Sequence, residues 1–409
     1  VVEQFNVDTG AAGTNYDRSH AFPSKALLAL TMGYPVDYDI AATWTPRRSI
    51  GFAASTSSRW MACSQSVYGA GTSATDKMQR ADAILGTLTT AGALEALLDV
   101  TNMSGAPTRF TVDDAFVDAI KVGLAGIGGA DIQNVAVGGF DQATGTGDND
   151  ITTVGFQPDF VLCISPYCIA PEPDIRTGSA IMVSACDAAL NQWVCGTRAL
   201  DAAGTSDTGR YMRKDQFIGV ITTAAGLGTC LVRASLTAML SNGFRLNYIE
   251  TDATVRRFGY LAIKGGKWRV GNVRTVNDTS TPIVASPGFK PVVGMLVSTG
   301  AVESTDDTPT AHDAVSIGMF TGVAARATYG QLDQDALATT DTSIFQESDE
   351  TYCRTGISAS GVLDSYMDIT AVGPKGFDSL MELNHATLAD IGYWVAGSNR
   401  RGIVGAGMF

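Results

Sequence analysis

The chain has 409 residues, 45% of them hydrophobic and 17% charged, with a formal net charge of −13. That hydrophobicity excludes a disordered chain, and no basic cluster supplies the positive face that nucleic-acid phosphates need. No stretch nears 18 uninterrupted apolar residues, so no membrane-spanning helix is expected.

The acids are unevenly chosen: 33 are Asp and 8 are Glu, while 45 residues are Gly. Asp and Gly favour turns, and Glu favours helices. Many short strands joined by turns are therefore expected, rather than a helical bundle.

Along the chain, the first apolar strand follows Pro23 in Ser24-Lys-Ala-Leu-Leu-Ala-Leu30. Ser49-Ile-Gly-Phe52 opens a second strand, and Trp60 lies in a third. Segments 77–85 and 91–98 carry good helix formers and are predicted as two short helices. Phe110, Asp114 and Gly123 mark the closing strands, and the polar, Gly-rich stretch 138–150 reads as a linker. The series then begins again. Pro158 precedes an apolar strand, Ser179-Ala-Ile-Met182 follows, and Trp193 takes the place of Trp60. Gly243-Phe244 and Phe258-Gly-Tyr-Leu-Ala262 close this unit. After a second linker at 265–288 come Pro291, Ser316-Ile-Gly-Met319, Tyr329, Gly376-Phe377 and Ile391-Gly-Tyr-Trp-Val-Ala396.

The three prolines are 135 and 133 residues apart, and the closing glycines Gly123, Gly259 and Gly392 are 136 and 133 apart. A period this long exceeds the roughly 20–50 residues of a solenoid or propeller unit. Each copy is read as a whole domain. The expected fold is all-β: three tandem antiparallel β-sandwich domains, jelly-roll-like, with short helices. Repeat 1 spans 1–140, repeat 2 spans 141–272 and repeat 3 spans 273–399, and a tail follows at 400–409.

Val154-Gly-Phe-Gln-Pro-Asp-Phe-Val-Leu-Cys-Ile-Ser165 resembles a strand of tailed-bacteriophage virion proteins, where G-F-x-P-D-x-V opens a β-sandwich that is often present in tandem. Gly288-Phe-Lys-Pro291 repeats the pattern with Val292 in place of the Asp, and copy one departs further, with Phe22 directly before Pro23. The resemblance implies a structural protein of a virion, made in the host cytoplasm. The motif is a fold signature and marks no site.

Catalytic signals are weak. The three histidines, His20, His312 and His385, accompany no G-x-S-x-G elbow. The acid pairs Asp37/Asp39, Asp148/Asp150, Asp306/Asp307 and Asp333/Asp335 do not recur between copies, so a glycosidase pair is not supported. Gly145–Asp150 lacks the later ligands of an EF-hand loop. No enzyme activity, cofactor or metal is expected. Trp60, Trp193 and Tyr329 recur at equivalent places, as core aromatics or as an exposed platform for a sugar or protein partner.

The expected function is that of a capsid decoration or minor capsid protein, with other virion proteins such as the major capsid protein as partners. Neither nucleic acid nor membrane is an expected partner. A carbohydrate-binding tail or fibre protein is the alternative. Arg400, Arg401, Ile403, Val404, Met408 and Phe409 form an expected docking tail toward another chain. Cys353 has no other cysteine in its copy and is the candidate for an inter-chain disulfide.

Overall fold

Phe160-Val-Leu-Cys-Ile-Ser165 shows no polar alternation, so a strand made from it must be covered on both faces. The computed structural model shows how that cover arises. It describes residues 1–20, 22–35, 38–41 (backbone alone), 45–103, 107–169, 172–221, 230–303, 310–355 and 363–398. Among these residues there are thirty-three strands and no helix.

The strands form three series of eleven. The first is β1 (Val2–Val7), β2 (Asn15–Arg18), β3 (Ser24–Thr31), β4 (Tyr38–Ala41), β5 (Arg47–Ala53), β6 (Arg59–Ser66), β7 (Thr75–Arg80), β8 (Leu85–Leu88), β9 (Leu94–Asn102), β10 (Thr108–Asp114) and β11 (Ile120–Gly128). The second is β12 (Ile132–Asp141), β13 (Gly147–Ile151), β14 (Phe160–Ser165), β15 (Asp174–Thr177), β16 (Ser179–Asp187), β17 (Gln192–Ala199), β18 (Thr208–Arg213), β19 (Ile218–Ile221), β20 (Cys230–Leu240), β21 (Gly243–Glu250) and β22 (Arg257–Gly265). The third is β23 (Lys267–Arg274), β24 (Ile283–Ala285), β25 (Val293–Ser298), β26 (Thr310–Ala311), β27 (Asp313–Thr321), β28 (Ala325–Asp333), β29 (Thr342–Glu347), β30 (Tyr352–Thr355), β31 (Leu363–Gly373), β32 (Gly376–Leu383) and β33 (Asp390–Gly397).

Each series builds the same two antiparallel sheets. In the first, the larger sheet runs β1-β11-β3-β5-β6-β7 and the smaller β2-β10-β9-β8; the other two series keep this order strand for strand. The fourth strand of each series leaves its own sheet. β4 pairs with β29, β15 with β7 and β26 with β18. Each repeat thus donates a strand to the edge of a neighbour's large sheet, and the three donations close a ring.

Two kinds of core follow. Between the large and small sheets of the first series lie Phe5, Leu27, Leu98, Phe110 and Leu124; the other two series have equivalent clusters around Phe244 and Phe377. The opposite faces of all three large sheets meet in one central cluster, with Leu28, Phe52 and Trp60 from the first series, Phe160, Leu162 and Trp193 from the second, and Met295, Tyr329 and Trp394 from the third. The strands β3, β14 and β25 of the large sheets are therefore buried on both faces, which accounts for their continuous apolar runs.

Several expectations are corrected. Segments 77–85 and 91–98 are not helices; they contribute to β7, β8 and β9. Met78, Leu85 and Leu97 are buried there between sheets, and tertiary burial overrides helix propensity. Part of each sheet is a meander, β5-β6-β7 in the large sheet and β8-β9-β10 in the small one, while β11 enters between β1 and β3 and β10 beside β2. The expected linker at 138–150 falls largely in β12 and β13, and the expected boundaries at 140 and 272 fall inside β12 and β23. The chain changes sheets earlier, at 129–131 and at 266. The six sheets enclose one core in each repeat and share a further central one.

The G-F-x-P-D motif has a local cause. Gly155 and Gly288 both have positive φ, 83° and 89°, and their N–H groups donate to Asn242 O and Lys375 O. Phe156 packs against the second sandwich core. Asp159 Oδ2 accepts from the Gly265 N–H at 2.7 Å, pinning β22 to the start of β14.

Candidate functional site

The residues singled out in the sequence scatter, and most are structural. Trp60, Trp193 and Tyr329 are 1%, 0% and 0% exposed, so they offer no platform. Each instead packs against a closing glycine of a neighbouring repeat. A Cβ on Gly392 would sit 2.5 Å from Trp193 Cδ2, one on Gly123 2.5 Å from Tyr329 Oη, and one on Gly259 closer still to Trp60 Cδ1. The glycine recurs because the next repeat's aromatic occupies the space of its side chain.

The chief joint lies where three loops meet: 67–74 between β6 and β7, 200–207 between β17 and β18, and 334–341 between β28 and β29. Ser73 Oγ donates to Leu200 O at 2.7 Å and accepts from Ala203 N at 2.9 Å. Ser206 Oγ donates to Gln334 O at 2.8 Å and accepts from Leu337 N at 2.9 Å. Thr340 Oγ1 donates to Val67 O at 2.6 Å and accepts from Ala70 N at 2.9 Å. Each hydroxyl clasps the next loop, and the third clasps the first. Gly69, Ala202 and Ala336, at the matching positions, have φ of 71°, 56° and 61°. The signal was in the sequence and was missed: Thr72-Ser-Ala-Thr75, Thr205-Ser-Asp-Thr208 and Thr339-Thr-Asp-Thr342 are one motif at the same period. Ser206→Ala removes a buried donor and acceptor together and is expected to cost about 1–3 kcal/mol, read as a lower denaturation midpoint with an unchanged m-value.

A charged cluster joins all three repeats. The Arg48 guanidinium on β5 donates to both Asp313 carboxylate oxygens on β27, at 2.9 and 3.0 Å, to Ser179 Oγ on β16 at 3.0 Å and to Ser64 Oγ at 2.5 Å. Arg48 is 2% and Asp313 0% exposed. Asp333 is buried beside them. Burial, then the Asp313 charge, pushes its carboxyl well above the usual range, while Arg48 pulls the other way.

The sign of the pH effect follows. An unfolded chain ionises such a group near pH ~4. Above that pH the folded state holds a proton that the unfolded state has lost. The contribution of Asp333 is therefore complete at low pH and is lost as pH rises toward its folded value. Asp333→Asn removes this titration. Denaturant melts at about pH 5 and about pH 8 should show the variant losing less stability with rising pH than the parent chain.

The structure does bring one nucleophile-like set together. His20 Nδ1 lies 3.0 Å from Ser24 Oγ, and its Nε2 lies 3.3 Å from Glu3 Oε1. Yet β11 covers it: a Cβ on Gly126 would sit 3.0 Å from Ser24 Oγ and 3.3 Å from the His20 ring. Ser24 and His20 are buried, and Arg18 holds both Glu3 oxygens at 3.0 and 3.3 Å. The set is buried and ties β1 to β3.

The remaining candidates have ordinary roles. Asp148 and Asp150 flank Arg245 in a surface ion pair on β13 and β21. Asp335 accepts from the Thr208 N–H at 2.8 Å, and its own N–H donates to His312 Nδ1 at 3.0 Å. His385 Nδ1 accepts from the Thr387 N–H at 2.9 Å, as a turn residue does. The side chains of Asp37, Asp39, Asp306 and Asp307 lie outside the described residues, as do Arg400, Arg401, Ile403, Val404, Met408 and Phe409. All seven cysteines are buried. Cys353 is 1% exposed within β30, so a bond to another chain would require that strand to open. No family model matches the chain, and no curated protein matches it.

Proposed function

We propose that the chain is a non-enzymatic structural protein of a tailed-bacteriophage virion, a capsid decoration or minor capsid protein that bridges and stabilises shell subunits. The observation that carries this reading is the closed ring of donated strands. One polypeptide thereby presents three like sandwich faces to its surroundings, as a homotrimer would. A shell position of local threefold symmetry offers three like neighbours, and covalent linkage lets the second and third contacts form at high effective concentration. The motif at 154–165 supplies the virion context. On this reading the three sandwiches are domains joined at 129–131 and 266, and their partners are the major capsid protein or adjoining structural proteins.

The test is reconstitution. Purified chain added to shells made without it should saturate at one chain per local threefold position and raise the temperature of shell disruption. Binding to host polysaccharide with no binding to shells would replace this reading with the tail or fibre one.

A further inference from the structure

We infer that the joint of the three loops binds a small alkali cation, of sodium size, in a cavity beside Asp333. The cavity has a volume of about 10 Å³, room for a single sphere the size of a water molecule. Thr75, Thr208 and Thr342, the last residues of the repeated loop motif, line it together with Ser66 and Asp333. Among the described residues, no lysine, arginine, histidine or cysteine lines it. Asp333 is 2% and Thr75 1% exposed. Among the described residues, neither Asp333 Oδ1 nor Thr75 Oγ1 has a hydrogen-bond partner. Ser66 supports the Asp333 carboxyl, and Gln331 Nε2 lies 3.5 Å from its Oδ2. A buried carboxylate oxygen and a buried hydroxyl left bare are costly, and an ion between them offsets that cost.

Charge selects a monovalent ion. Arg48 on β5, Asp313 on β27 and Asp333 on β28 bring one guanidinium and two carboxylates into one buried cluster. Asp341 adds to the negative field. With both buried carboxylates ionised, the cluster lacks one positive charge. In acid a proton on Asp333 supplies it. Once that proton leaves, a monovalent cation at Asp333 Oδ1 supplies it instead. A divalent ion fits less well: calcium takes roughly six to eight oxygens, and magnesium keeps several waters. The cavity has room for no such shell, and among the described residues no three acids, histidines or cysteines converge on a metal position. No spacing motif marks the site, because its oxygens come from three repeats.

Denaturant melts of the full chain test the site, run in sodium chloride and in tetramethylammonium chloride at one ionic strength of about 0.15 M. An ion bound only by the folded chain raises the midpoint as its concentration rises. Sodium should therefore give the higher midpoint, by a larger margin at about pH 8 than at about pH 5, where the proton competes for Asp333. The parent chain's loss of stability with rising pH should shrink in sodium. Asp333→Asn should remove the margin. Thr75→Val keeps the shape of the side chain without its oxygen. It should raise the sodium concentration that gives half the margin at least roughly tenfold. Equal midpoints in the two salts at both pH values would overturn the inference and assign the cavity to water. A margin of the same size at both pH values, or one that survives Asp333→Asn, would overturn it as a general effect of salt.

Discussion

Alanine at Gly259 is expected to cost the fold about 3 kcal/mol, the upper end for overpacking, because the added methyl meets Trp60 of the neighbouring repeat. β22 cannot shift to make room. It is paired on one side with β12 and on the other with β14. Trp60 cannot swing away either, since it is 1% exposed in the central cluster and its ring also covers Gly139. Gly71→Ala is the control: its Cβ would meet nothing within 4 Å, and it should change stability by no more than about 0.5 kcal/mol. Pairing Gly259→Ala with Trp60→Leu should recover part of the loss, a coupling of about 1 kcal/mol or more that sites without contact do not show. Additive losses would mean that the aromatic and the glycine do not touch.

Arg48→Met is expected to be as severe, at about 3–5 kcal/mol, because it strands the buried Asp313 carboxylate without its partner. The pair itself adds little net stability, since both ions give up water to form it. The double replacement Arg48→Met with Asp313→Leu should therefore recover most of the loss. What the pair contributes is register: Arg48, Ser179 and Asp313 come from three repeats and fit only one docking of them. Circular dichroism melts of the single and double variants would show both effects. A single variant within about 1 kcal/mol of the parent would contradict the burial of this cluster.

Parts of this design were legible in the sequence. The threefold period, the strands after Pro23, Pro158 and Pro291, and the closing glycines all fall on equivalent strands. Local chemistry fixes those positions, through a strand start or a close approach to an aromatic ring. The joints were harder to read. β4, β15 and β26, with sequences Tyr38-Asp-Ile-Ala41, Asp174-Ile-Arg-Thr177 and Thr310-Ala311, share no side-chain pattern, and backbone pairing holds them on a neighbour's edge. Arg48 has no charged counterpart; Ile181 and Val315 hold the matching positions, so repetition could not flag it. The short helices were misread because Lys77, Met78, Gln79 and Arg80 favour helix in isolation, while the sheet on either side decides the outcome.

The most direct measurement of the account is a cryo-electron microscopy reconstruction of intact particles carrying the chain. The account expects a single chain, with three lobes of equal size around one axis, centred on positions of local threefold symmetry and touching three shell subunits alike. Three lobes strung in a line, three chains at each such position, or density only at a tail or fibre would contradict it.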